Sequence, residues 1–183
     1  MKRIFIARHG QTDWNTVPKV QGMTDIPLNQ CGIEQAHELA SYIKNQNLHF
    51  DKILCSPLIR AAETARIVSD ENGIPLQEEV RLIEQNFGKW EGWECVSGDK
   101  TKPFHLAKQQ FFDSYEGGES MARMAQRIFN LLDELKDLPV EENWLLVTHG
   151  GIARMINSYF FDMTNEEFAS FSLNNCEIRE YRF

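Results

Sequence analysis

Two histidine–glycine pairs stand where chemistry could be done. His9-Gly10 follows the apolar run Ile4-Phe5-Ile6-Ala7 and Arg8, and His149-Gly150 follows Trp144-Leu145-Leu146-Val147 and Thr148. A third apolar run, Lys52 to Cys55, leads into Ser56-Pro57-Leu58-Ile59-Arg60. Parallel sheets place ligands beyond the carboxyl ends of their strands, so all three junctions are candidate site positions. Glycine after each histidine would let the backbone turn tightly or approach a ligand without a Cβ in the way. Two imidazoles with two guanidiniums do not suit a metal dication: Arg8 and Arg60 would repel it, and no carboxylate adjoins either histidine. A phosphate dianion fits better, because arginine forks match its oxygens and charge-assisted hydrogen bonds are about twice as strong as neutral ones. An imidazole could then act as nucleophile and divide one displacement into two through a covalent intermediate. Phosphoryl transfer asks chiefly for in-line positioning and charge stabilisation, neither of which requires a metal or cofactor here.

The elements that must position these residues follow from apolar periodicity. Arg3 to Ala7, Lys52 to Cys55 and Asn143 to Thr148 read as buried strands, Leu76 to Val80 as an outer strand, and Cys176 to Phe183 as a later strand. Asn29 is a plausible N-cap for a helix whose one face holds Ile33, Ala36, Leu39, Ala40 and Ile43. A second helix begins after Pro57, which suits the first turn, and carries Ile59, Ala62, Ala65, Ile67 and Val68. Ser120 caps a third, with Met121, Met124, Ala125, Ile128, Leu131, Leu132 and Leu135 on one stripe. Gly150-Gly151 opens a fourth through Phe160. This alternation predicts an α/β fold, a three-layer α/β/α sandwich around a mostly parallel central sheet. Residues 93 to 116 break the pattern, mixing Trp93, Phe104, Phe111, Phe112 and Tyr115 with Lys100, Lys102, His105 and Lys108. They read as a short cap insertion, either packing its own aromatics on the surface or covering the substrate. With no repeat and no linker, residues 1 to 183 are expected to form a single domain.

Composition narrows the partners. Lys and Arg number 19 against 27 Asp and Glu, a net charge of −8 that opposes binding to nucleic acid or anionic lipid. No apolar run approaches the roughly 20 residues of a membrane helix, and Ile4 to Ala7 is too short for a signal-peptide core. Cys31, Cys55, Cys95 and Cys176 show neither CxxC spacing nor a disulfide framework. A cytoplasmic location is expected, and self-association into a homo-oligomer is compatible with the sequence.

The segment Arg8-His9-Gly10-Gln11-Thr12-Asp13-Trp14-Asn15 resembles the RHG signature of the histidine phosphatase superfamily, the phosphoglycerate-mutase-like proteins. Further blocks follow in the family's order: Gly22 with Asp25-Ile26-Pro27-Leu28, Gly32 to Ala36, Ser56 to Ala65, Leu82-Ile83-Glu84 through Gly92, Gly117 to Ser120, and Val147 to Gly150. The resemblance implies that His9 is the nucleophile that becomes phosphorylated and that Glu84 is the proton donor and later acceptor. It places Arg8, Arg60 and His149 on the phosphoryl oxygens, with Asn15 and the backbone near Gly150 assisting, and Gln21 and Gly22 at the substrate entrance. In these roles His9 must attack as neutral imidazole, while His149 is more useful protonated as a donor to developing negative charge. The partner would be a small phosphorylated metabolite.

Other residues have plainer readings. Glu91 could be a second acid but fits a solvated or loop-fixing carboxylate better; His37, His49 and His105 read as surface or packing histidines, and Cys55 as a small buried residue. Trp14 could stack on a substrate ring or pack on its own loop. Three activities remain: a phosphatase, a phosphoglycerate mutase, and a catalytically silent phospho-ligand binder. In the mutase branch an arginine follows the acid and a tyrosine lies two residues further, whereas Gln85-Asn86-Phe87 follows Glu84 here, and no Arg-Arg pair occurs anywhere in the chain. The phosphatase is the expected activity, and a silent binder should have lost one of His9, Arg8, Arg60, Glu84 or His149.

Overall fold

Side chains along the central strands alternate between two buried faces, and this alternation builds the layers. The computed structural model describes residues 2–94, 111–114, 117–139 and 141–183. The strands are β1 (Arg3–Arg8), β2 (Lys52–Cys55), β3 (Leu76–Glu78), β4 (Asn143–Thr148) and β5 (Ile178–Arg182), in the spatial order β3-β2-β4-β1-β5. All pairings are parallel except that of β5 with β1. Ile4, Ile6, Leu54, Trp144 and Leu146 face one side, under α4 (Met121–Asp137), α5 (Gly150–Phe160) and α6 (Asn165–Ser170). Phe5, Ala7, Ile53, Cys55, Leu145 and Val147 face the other, under α2 (Gln30–Asn45) and α3 (Ile59–Asn72). The expected α/β architecture with helices on both faces is therefore present.

Local signals explain most boundaries. Asn29 Oδ1 accepts from Gly32 N at 2.9 Å and Ser120 Oγ from Arg123 N at 3.3 Å, capping α2 and α4 as expected. Three boundaries differ. Pro57 precedes the N-cap Leu58 instead of lying in the first turn of α3. β3 stops at Glu78 because Val80 enters a 3₁₀ turn, Val80–Leu82. β5 starts at Ile178 because Cys176, with φ 56°, takes a left-handed conformation that no strand continues. The short helices α1 (Asp13–Thr16) and α6 had no counterpart in the sequence reading.

Of the cap excursion, Trp93 lies half exposed with its ring centroid 4.8 Å from that of Trp90, and Phe111 meets Phe112 edge-on at 5.1 Å. Lys100, Lys102, Phe104, His105, Lys108 and Tyr115 lie outside the described residues. Among the described residues, no helix is long and apolar enough to cross a membrane.

Candidate active site

Parallel register brings three strand ends together. Arg8 pairs with Thr148 and Cys55 with Val147; His9 N donates to Thr148 O at 2.9 Å and Ser56 N to Val147 O at 3.0 Å. His9, Ser56 and His149 therefore leave the sheet at one edge, with Arg60 in the first turn of α3 and Gly150 at the start of α5.

His9 is nearly inaccessible, at 3% exposure. Its Nδ1 lies 2.7 Å from Gly10 O, which can only accept, so Nδ1 carries the proton and Nε2 keeps its lone pair. Burial, then the charges of Arg60 and Arg8, push the imidazole pKa well below 6.5, so the ring is neutral, as a nucleophile requires. His149 stands behind it, wholly buried, with the ring centroids 5.2 Å apart and Nε2 2.7 Å from Ser56 Oγ. Burial, followed by Arg60, His9, Arg8 and Arg127, also drives its pKa well down. The expectation of a protonated His149 does not hold in this state: with these cations nearby, it gains a proton only if an anion offsets them.

A cavity of about 210 Å³ opens in front of His9. Arg8, His9, Asn15, Gln21, Gly22, Arg60, Glu84 and Gly150 all line it, whereas His149 takes no part in its wall. Arg8 Nη1 donates to Leu173 O at 2.8 Å; Arg60 Nη1 and Nη2 donate to Thr24 O at 2.9 Å and Gly22 O at 2.7 Å. Desolvation lowers the pKa of both guanidiniums. Asn15 Oδ1 accepts from Thr12 N at 3.0 Å, which leaves its amide NH₂ as a donor. Glu84 accepts from Gln85 N at 2.9 Å and from Gly151 N at 3.1 Å. A Cβ on Gly151 would lie 2.5 Å from Glu84 Oε1, so a side chain there would push the carboxylate from its present place.

Among the described residues, the buried side-chain nitrogens and oxygens without a hydrogen-bond partner are Arg8 Nε, Gln21 Oε1, Arg60 Nε and His149 Nδ1. Arg8, Gln21 and Arg60 line this cavity, and His149 stands behind His9 with the ring centroids 5.2 Å apart. An unsatisfied buried polar group costs roughly 1–3 kcal/mol, more when charged, so their concentration at one place marks a surface made for a polar ligand. No group of three or more His, Cys, Asp or Glu side chains among the described residues is placed to hold a metal.

Several plainer readings hold. Glu91 accepts from Met23 N at 2.9 Å, Thr24 N at 2.8 Å and Phe87 N at 3.1 Å, fixing two loops together. Gly22, at φ 55°, makes room for it, since a Cβ would lie 2.2 Å from Glu91 Oε1. The Cys55 thiol is pushed up to about 12, chiefly by burial, and is no nucleophile. Trp14 packs with Lys19 Nζ 5.8 Å from its ring centroid; Lys19 lines the cavity and Trp14 does not. His37 pairs with Glu71, and His49 lies 3.5 Å from Asp51, both at the surface. Gly10 serves differently from expected: a Cβ there would lie 2.4 Å from Gly32 O, so its role is to seat the start of α2 against the nucleophile loop.

Sequence reasoning missed three contributors. Arg154 and Lys19 line the cavity, and Asn175 Nδ2 donates to His9 O at 2.9 Å. Arg154 had a readable signal, lying one helical turn after Gly150 and so on the same face. Its Nε donates to Phe171 O at 3.2 Å, and its guanidinium carbon lies 5.6 Å from the Phe168 ring centroid. Asn175 belongs to an irregular segment with no such signal.

The chain is similar to known proteins over nearly its whole length. The profile of the Histidine phosphatase superfamily (branch 1) matches residues 4–183. A Yersinia pestis protein named "Probable phosphoglycerate mutase GpmB" is 32% identical, over 97% of this chain and 83% of its own. The mycobacterial glucosyl-3-phosphoglycerate phosphatase structure with VO₃ superposes with a TM-score of 0.84 at 26% identity, covering 98% of this chain and 90% of that one. The alpha-ribazole phosphatase of Shigella flexneri gives 0.81 at 26% identity, covering 97% and 89%.

Proposed function

Because the chain belongs to the histidine phosphatase superfamily, whose structural relatives here are phosphatases, we propose that it hydrolyses small phosphomonoesters through a phosphohistidine on His9. The observation that carries this reading is the set of buried nitrogens without a partner among the described residues, Arg8 Nε, Arg60 Nε and His149 Nδ1, beside a neutral imidazole whose proton sits on Nδ1. Arg8 and Arg60 bind the phosphoryl oxygens, with Asn15 and His149 as further donors. The Nε2 lone pair attacks phosphorus, the P–O bond breaks, and its electron pair leaves on the alcohol oxygen as Glu84 delivers a proton. Water then attacks the phosphohistidine; Glu84 takes its proton, and the P–N electrons return to Nε2. The guanidiniums supply the charge stabilisation that a divalent ion gives elsewhere, so the reading requires no metal.

Gln85 bears on the mutase alternative. It is 3% exposed, and its Nε2 donates to Glu119 O at 2.9 Å, so this position supplies no cation to the cavity. Hydrolysis needs only water at the phosphohistidine. Rapid mixing with a phosphomonoester, followed by quench, should trap phosphate that is acid-labile and base-stable, in an amount set by His9 and absent from His9→Asn. Phosphate on another residue, or turnover retained in His9→Asn, overturns the mechanism. Formation of a phosphoglycerate isomer in place of inorganic phosphate would establish the mutase.

A further inference from the structure

Glu84 lies in an irregular stretch between two 3₁₀ turns, Val80–Leu82 and Gly88–Trp90, with no strand or helix ladder of its own. A general acid must be held within about 0.5 Å of its productive position, so something outside that stretch has to fix it. The start of α4 does so from both sides. Glu119 and Arg127 form a two-point ion pair, Nε to Oε1 at 2.7 Å and Nη2 to Oε2 at 2.8 Å, with both side chains less than a fifth exposed. The third arm of the fork, Arg127 Nη1, donates to Arg81 O, upstream of Glu84. Downstream, Glu119 N donates to Asn86 O at 2.8 Å and Glu119 O accepts from the buried Gln85 amide at 2.9 Å. Gly118 permits this approach, since a Cβ there would lie 2.6 Å from Asn86 O.

We infer that Glu119 and Arg127 are positioning residues that set the proton-transfer geometry of Glu84, although neither lines the cavity. The inference rests on the reading of Glu84 as general acid. One ion pair closes the two ends of the acid-bearing stretch, from Arg81 to Asn86, into a ring of contacts. Loosening it would let the carboxylate drift while leaving Arg8, Arg60 and His9, which hang from other elements, in place. A misplacement of 1 Å can cost on the order of 10²-fold in rate.

The test compares Glu84→Gln, Glu119→Gln and Arg127→Lys with an alkyl phosphate and with p-nitrophenyl phosphate, followed in single-turnover bursts. An alkoxide needs a proton as it leaves and a nitrophenolate does not, so a fault in the acid shows with the first substrate alone. Glu119→Gln should slow phosphorylation by the alkyl ester by about 10–100-fold and by the nitrophenyl ester less than about threefold. KM for the nitrophenyl ester should stay unchanged. Arg127→Lys keeps the charge but loses the fork; it should behave alike and carries the comparison if Glu119→Gln does not fold. Asp70→Asn, which breaks an exposed ion pair with Arg66 on α3, far from the clamp, should leave the substrate ratio at its wild-type value. If Glu84→Gln is selective and the clamp variants slow both substrates equally, the positioning role is refuted while the acid stands. If Glu84→Gln itself slows both equally, the acid assignment falls and the clamp inference falls with it.

Discussion

Two neutral histidines buried beside two arginines make the fold acid-sensitive, and the size of the effect follows from linkage. His9 and His149 have folded-state pKa values well below 6.5, burial being the first cause and Arg60 the second in each. In the unfolded chain both return to about 6.5, so below that pH the unfolded state binds more protons than the native one. Their contribution is complete above pH 6.5 and declines as pH falls from 6.5 toward the folded-state values. Lowering the pH from 6.5 to 5.5 removes roughly 1 kcal/mol per histidine, with a limiting slope of about 1.4 kcal/mol per pH unit each. Urea unfolding at several pH values between 5.5 and 7.5 reads this slope directly. His9→Asn retains an amide donor for Gly10 O, and His149→Gln retains a polar atom for Ser56; each should remove about half of the slope, and the double variant nearly all of it. Saturating phosphate should flatten the wild-type dependence as well, because the anion offsets the arginine charges that hold the rings neutral. A wild-type stability that is flat between pH 6.5 and 5.5, or a double variant that keeps the full slope, would refute the argument. The same neutrality predicts that phosphorylation of His9 persists below pH 6.5, where an ordinary imidazole would be lost to protonation.

Chelation by EDTA should leave turnover intact; loss of activity restored by magnesium, manganese or zinc would replace the arginine pocket with a metal reading. Gly10→Ala should lower stability by about 1–3 kcal/mol, seen as a reduced thermal midpoint, because the new Cβ meets the Gly32 backbone and not a movable side chain. Arg154→Ala should weaken inhibition by inorganic phosphate about tenfold, since Arg154 lines the cavity and adds a third guanidinium to those of Arg8 and Arg60; an unchanged inhibition constant would confine Arg154 to holding Phe171. In the native protein, Ellman's reagent should label the exposed Cys31 rapidly and Cys55 only after unfolding; prompt modification of Cys55 would contradict its burial.

Strong local signals made much of this molecule legible. Lys52–Cys55 and Asn143–Thr148 are unbroken buried runs, Asn29 and Ser120 are caps with a visible hydrophobic stripe behind them, and Gly150 to Phe160 has bounds set by its own glycine pair. The elements that escaped are too short to show a period: α1 spans four residues and α6 six. The site divides in the same way. Arg8, His9, Arg60 and Glu84 belong to contiguous motif blocks, whereas the seat of Gly10 on Gly32 and the hold of Asn175 on His9 O exist only after distant backbone segments meet. The electrostatic state of His149 was illegible for a related reason, because it depends first on burial and then on Arg60, His9, Arg8 and Arg127, which come from three distant stretches of the chain.

The placement of β1 has a consequence for how the chain matures as it is made. β1 is made before the other four strands of the sheet, yet its two neighbours are β4 and β5, encoded more than a hundred positions later. Until those arrive, Ile4-Phe5-Ile6-Ala7 has no native partner strand, so its pairing waits on contacts of long sequence separation. Asn175, which braces His9, and Leu173, which anchors Arg8, come after β4 and just before β5. The nucleophile therefore emerges from the ribosome early and acquires its working surroundings late, so a stalled or truncated product carries the reactive histidine without the means to use it.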